Sequence, residues 1–152
     1  MLRELFPHGR FHPPASNAQI AAVEASLGVR LPEPLRRLYL EADGFREDRG
    51  NAKYLLSLTE PDTIGSLVST TRFYWDEWPG IQPGLELRDY LFFGYSGGDE
   101  VWGIHWRPPE EIIVYHPQMG SSFETAGTDL LRLFRDDYAA YDLLAEPDAA
   151  DG

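Results

Sequence analysis

Apolar residues recur with helical spacing in the first third of the chain. Ile20, Val23 and Leu27 share one face of a helix opened by Ser16. Ser16-Asn17-Ala18-Gln19 has the form of a capping box, in which hydroxyl and amide side chains satisfy each other's backbone N–H groups. Gly28, free to adopt a left-handed conformation, ends it. Leu31-Pro32-Glu33-Pro34 starts a second helix, because prolines cost nothing in a first turn whose amides have no partners. Its stripe is Leu35, Leu38, Tyr39 and Ala42, and Asp43-Gly44 stops it. After a polar loop over 46–52, Tyr54–Leu58 reads as a strand. Thr59-Glu60-Pro61-Asp62 reads as a third helix start, with Ile64, Leu67, Val68 and Thr71 on one face. That helix runs into Phe73-Tyr74-Trp75-Asp76-Glu77-Trp78 and closes at Pro79-Gly80.

Downstream the period changes. Tyr90–Phe93 reads as a buried strand and 94–99 as a glycine-rich turn. In the next strand Trp102, Ile104 and Trp106 alternate onto one face, and Ile112–Tyr115 forms another strand. The short glycine turn predicts an antiparallel hairpin. A last helix runs from about Asp129 to Leu144 behind Thr128 as N-cap, with Leu130, Leu133, Phe134, Tyr141 and Leu144 towards the core. The order of elements predicts a single α+β domain, an antiparallel sheet packed with helices at both chain ends. Residues 1–15 are expected as an irregular N-terminal arm, 16–144 as the domain, and 145–152 as an acidic frayed tail.

Composition narrows the function. A chain of 152 residues, 43% apolar and 13% aromatic, can bury one core without staples. It has no cysteine, so disulfides, thiolate metal sites and cysteine nucleophiles are excluded. Its formal net charge of -12 makes nucleic acid a poor partner, because phosphates are bound by Lys and Arg. A basic protein would be steered towards it, although the same charge also serves plain solubility. No stretch has the length of a signal peptide or a membrane helix, so a soluble cytoplasmic protein without membrane contact is expected.

Candidate chemistry is thin. Gly94-Tyr95-Ser96-Gly97-Gly98 matches the G-x-S-x-G elbow of Ser hydrolases, with His105 or His116 as a conceivable base and Asp99 as its orienter. The elbow needs a helix after the serine, whereas a strand is expected here, so a turn that needs glycines explains the motif better. His8 and His12 lie four apart, but Gly9 and Pro13 argue against a helix presenting both, and no metal or cofactor is expected. Carboxylates form adjacent pairs at Glu47-Asp48, Asp76-Glu77, Asp99-Glu100, Glu110-Glu111 and Asp136-Asp137, and neighbours on a strand, as in Asp99-Glu100, face opposite ways. Trp75-Asp76-Glu77-Trp78 stands out, because interfaces favour aromatic anchors ringed by polar groups. The alternative is that both tryptophans cap the core.

In its order and spacing the chain resembles the SUKH superfamily, the Smi/Knr cell-wall-regulator-like domain. The likeness is carried by Ile20, Glu24, Leu27 and Gly28 before Leu31-Pro32, and by Tyr39 before Asp43-Gly44, where the family often has Asn-Gly. It continues through Phe92-Phe93-Gly94, Gly97-Gly98-Asp99 and Trp102-Gly103-Ile104. Ile112–Tyr115, a loop bearing Phe123, and the helix with Leu130, Leu133 and Phe134 complete it, over about 16–144. The resemblance implies a non-enzymatic α+β binding domain, in bacteria often an immunity protein that blocks a cognate toxin, otherwise an intracellular regulator or scaffold. Combined with the acidic charge, it predicts a basic toxin domain as partner, contacted by Trp75, Asp76, Glu77, Trp78, Asp99 and Glu100. A Ser hydrolase using Ser96 is the remaining alternative, and the sequence leaves the oligomeric state open.

Overall fold

The structure, a computed structural model, describes residues 1–50, 52–60, 65–98, 100–120 and 122–151, with backbone alone at 119 and from 141 onwards. The two N-terminal helices form as the sequence dictates. In α2 (Asn17–Leu27) the Gln19 amide donates to Ser16 Oγ at 3.1 Å, and the Gln19 side chain accepts from the Ser16 amide at 2.7 Å. Gly28 closes it at φ 75°. Pro32 caps α3 (Glu33–Glu41), which buries Leu35, Leu38 and Tyr39. The Glu24 carboxylate accepts the Leu31 amide at 2.8 Å and fixes the turn between the two.

The sheet is built in two parts. β3 (Tyr90–Tyr95), β4 (Val101–His105), β5 (Ile112–Tyr115) and β6 (Phe123–Thr125) pair antiparallel in that order. β1 (Arg10–Phe11) and β2 (Phe45–Arg46) form a separate antiparallel pair. The chain between them joins the two: Leu55 bridges to Phe45 and Lys53 to Tyr95, and the Leu56 amide donates to the Phe93 carbonyl at 2.7 Å. Alternation then sorts the β-strands onto two faces. Leu91, Phe93, Trp102, Ile104 and Ile112 share a core with α2, α3 and Phe134, while Phe92, Val101, Ile113 and Tyr115 pack against Tyr74, Leu85 and Leu87. Both faces are covered, which gives the α+β layering the sequence predicts.

Several elements differ from expectation. The strand expected over 54–58 forms no regular ladder: Leu55 bridges to Phe45 and the Leu56 amide reaches Phe93, and Asp43 captures the chain beyond Leu56. Its carboxylate accepts the Leu58 amide at 2.8 Å and the Ser57 hydroxyl at 3.0 Å. The helix expected from Thr59 is α4 (Leu67–Arg72), capped by Ser66; residues 61–64 lie outside the described residues. Pro79-Gly80 does not end the helical run, which reaches Ile81, because Pro79 falls in a fresh first turn. Phe123 lies in strand β6 rather than a loop. The first fifteen residues are not an irregular arm: α1 (Leu2–Leu5) and β1 lie there, with Leu2 and Phe6 buried. At the other end α6 (Leu130–Asp151) runs through the segment expected as a frayed tail, and Asp129, not Thr128, accepts the first-turn Arg132 amide at 3.1 Å.

Tyr54 is the hub. Its ring stacks on Phe134 at 5.3 Å and on Trp102 at 5.3 Å, and Phe134 and Trp102 stack in turn at 5.9 Å. Its hydroxyl donates to the Asp137 carboxylate at 2.7 Å, which ties α6 to the sheet. Burial holds the Asp137 carboxyl above the ordinary aspartate range, the Tyr54 hydrogen bond opposes this, and Glu100 and Glu47 add to the rise. The Tyr54 carbonyl crosses β3 so closely that a Cβ at Gly94 would lie 2.3 Å from its oxygen.

Gly94→Ala will force backbone apart at this crossing, and urea denaturation will show a loss of about 1–3 kcal/mol or more. Gly98→Ala, whose Cβ would meet nothing nearer than Ser96 Oγ at 3.8 Å, will be close to neutral. For Asp137 the folded-state pKa is raised, so stability is lost as pH climbs from the unfolded value of 3.8 through the folded one. Asn keeps an acceptor for Tyr54 without the charge. Asp137→Asn will therefore raise the melting temperature at pH 7, and the gain will vanish below pH 3.8.

Candidate protein-binding site

The segment Phe73–Ile81 combines buried anchors with exposed apolar and acidic side chains. It begins where α4 passes into a π-turn (Phe73–Glu77) and continues as α5 (Trp78–Ile81). The Trp78 amide donates to the Phe73 carbonyl five residues back. The wider turn lets two consecutive large residues, Tyr74 and Trp75, both become buried. Single π-turns inside α-helices often mark functional positions.

The tryptophans of this segment anchor it. Trp75 is buried with its indole N–H on the Tyr90 carbonyl at 2.8 Å. Trp78 is half-buried and donates to the Tyr115 hydroxyl at 2.9 Å, which itself donates to the Gly120 carbonyl. Tyr74 packs on Phe92 at 4.6 Å, and burial, with Tyr95 and Tyr115 nearby, drives its hydroxyl pKa far above the usual tyrosine value. Phe73, Asp76, Glu77 and Ile81 are left outside. Ile81 is 61% exposed and Phe73 36%, and among the described residues only Met1 is another large apolar residue so exposed. Asp76 pairs with Arg88 at 2.8 Å on the surface, a contact of small energetic value. Glu77 has no ion-pair partner among the described residues.

Glu100 belongs to a different neighbourhood. It is half-exposed, faces His116 Nε2 at 3.3 Å, and raises the Asp137 carboxyl together with buried Glu47. No described contact joins it to Asp76 or Glu77, and Asp99 lies outside the described residues. The six residues singled out in the sequence thus divide between two regions. Sequence reasoning misses Phe73 and Ile81 as surface anchors. Their exposure depends on the π-turn, and a 3.6-residue period gives no sign of it.

The hydrolase motif is assembled as a turn. Ser96 is buried, its hydroxyl accepts the Gly98 amide at 3.2 Å, and strand β4 comes next where an elbow requires a helix. His105 Nδ1 accepts the Arg107 amide at 3.0 Å, and His116 faces Glu100. Among the described residues no three His, Asp or Glu side chains stand together as metal ligands, and no helix is long and apolar enough to cross a membrane.

A family model described as the SMI1 / KNR4 family (SUKH-1) matches residues 14–135. No curated protein matches the chain. The match takes in α2 and α3, the whole sheet of β3–β6 and the start of α6, so the chain belongs to the SMI1 / KNR4 (SUKH-1) family.

Proposed function

We propose that this SMI1 / KNR4-family domain is a non-enzymatic protein-binding module, an immunity protein that captures and blocks a basic toxin domain through Phe73, Asp76, Glu77 and Ile81. The observation that carries the reading is the exposure of Phe73 and Ile81 beside unpaired Glu77 on a short helical run pinned from beneath by Trp75 and Trp78. Rigid apolar anchors surrounded by charge are what a protein interface needs, because the anchors supply burial while the charges steer and select. The anchoring bonds keep this surface in one conformation before a partner arrives, which lowers the ordering cost of binding. The formal net charge of -12 favours a basic partner in encounter. The family resemblance supplies the toxin class of partner, and the turn built around Ser96 supports a binding rather than a catalytic role.

The test is capture of interacting protein from native lysate by the tagged chain, with mass spectrometry of what co-purifies. One stoichiometric partner bearing a basic toxin domain is expected. Ile81→Glu with Phe73→Ser will weaken that complex at least about tenfold, the scale of losing interface anchors. Glu77→Arg will slow association and flatten its dependence on salt. A toxin complex unaffected by these changes would remove the site assignment, and capture of several housekeeping proteins instead would favour a scaffold.

A further inference from the structure

The main sheet ends on a strand that is paired on one side only. β6 is last in the order of the sheet, with β5 as its neighbour. Hydrogen bonding alternates along an antiparallel pair, which identifies the residues of β6 that face β5 and those that face away. The Ala126 amide donates to the Ile112 carbonyl at 2.8 Å, and across the other side of β5 the His105 amide donates to the Glu111 carbonyl at 2.8 Å. In the register Ile113↔Thr125, Val114↔Glu124 and Tyr115↔Phe123, the residue bonded to β5 is then Glu124. Phe123 and Thr125 turn their N–H and C=O groups outward, and among the described residues no backbone group meets them.

Open edges invite another strand, and lysine, proline or a covering segment commonly blunts them. β6 is short but has neither lysine nor proline, and it borders a groove of about 550 Å³. Thr125 and Asp129 line that groove with Arg132, Leu133 and Asp136 of α6. Glu124 shares the face of Trp102 and Val114, towards α6, while Phe123 packs on the opposite face with Trp78 and Tyr115. Charge decides what fits. Glu124 is exposed and has no ion-pair partner among the described residues. Asp129 and Asp136 stand along the groove, where the one arginine already lies 3.7 Å from Asp136. A second copy is a poor occupant. Two β6 strands use all their outward groups only with Phe123 opposite Thr125, and that register sets Glu124 against Glu124, a like-charge pair that weakens a ladder. A strand with Lys or Arg at that position meets a free carboxylate instead.

We propose that the β6 edge takes up an extended basic segment of a partner protein as a further antiparallel strand, with a Lys or Arg opposite Glu124. The outward groups of Phe123 and Thr125 supply main-chain pairing, and alternate side chains of the segment supply selectivity. The basic side chain lies towards the groove, and its two neighbours lie on the other face beside Phe123 and Thr125. The edge adjoins the Phe73–Ile81 surface, because Tyr115 holds Trp78 and pairs in register with Phe123. It does not rest on the toxin reading, since the pairing needs only main chain and a cation.

The probe is the peptide acetyl-Thr-Val-Lys-Val-Thr-amide, titrated into the full chain and followed by backbone amide NMR and hydrogen exchange. Saturation with a Kd of about 1 mM or tighter is expected, with exchange slowed at the Phe123 and Thr125 amides and little changed at Glu124, which β5 already holds. The same peptide with Glu in place of Lys will bind about threefold more weakly, and Glu124→Lys will reverse that preference, the scale of a cross-strand charge pair. Thr125→Pro removes an outward N–H and leaves the bonds to β5, so it will weaken the lysine peptide about threefold or more with the melting temperature little changed. N-methylation of both valines, whose N–H groups face β6, will abolish saturation of the unaltered chain, a result that does not depend on how the proline variant folds. Absence of saturation by the lysine peptide, unprotected Phe123 and Thr125 amides, or equal binding of the glutamate or N-methylated peptide overturns the proposal. A free chain that is already dimeric with those amides protected gives the edge to a second copy and overturns it too.

Discussion

The close crossing of Tyr54 over Gly94 is the constraint on which the rest of the fold depends. One residue joins three parts of the molecule. Its backbone brings the segment after β2 against β3, its ring enters the stack with Trp102 and Phe134, and its hydroxyl holds Asp137 on α6. Only a residue without a Cβ admits the carbonyl at that distance, so the glycine after Phe93 is a packing requirement. The same approach lets β1 and β2 extend the main sheet through the Lys53 and Leu55 bridges. The N-terminal strands therefore owe their position to this crossing.

Features decided by neighbours in sequence are readable in advance. The Ser16 capping box, the left-handed Gly28 and the alternation of Trp102 with Gly103 and Ile104 each arise from residues within a few positions of one another. The features that escape such reading depend on distant partners. Leu2 and Phe6 give too short a pattern to announce an element, yet Phe6 is held by rings far along the chain, Phe45 at 5.0 Å and Tyr138 at 5.2 Å. The end of the strand after Leu55 is set by Asp43, whose carboxylate reaches across from the end of α3. The Asp-Gly pair that reads as a helix stop thus does a second task that local chemistry does not disclose.

The candidate site divides in the same way. Trp75-Asp76-Glu77-Trp78 is conspicuous by composition, but a uniform helical period cannot say which of its members face water. The π-turn decides that by adding one residue to the turn, so that aromatic neighbours Tyr74 and Trp75 are buried together and Phe73 is left outside. Charge alone groups Glu100 with Asp76 and Glu77. The register of β4 against β5 instead places it beside His116, next to Tyr115, and its field reaches Asp137 on α6.

A strongly acidic chain gains from keeping its few cations in defined places. Long-range attraction of a basic partner scales with the summed charge, whereas recognition at a site depends on the field within a few ångströms. The Phe73–Ile81 run keeps a negative sign at its surface, since the Arg88 guanidinium is occupied by Asp76 and Glu77 stays unpaired. The aromatic hub that joins the halves of the sheet also keeps the residues of each surface fixed relative to their own anchors.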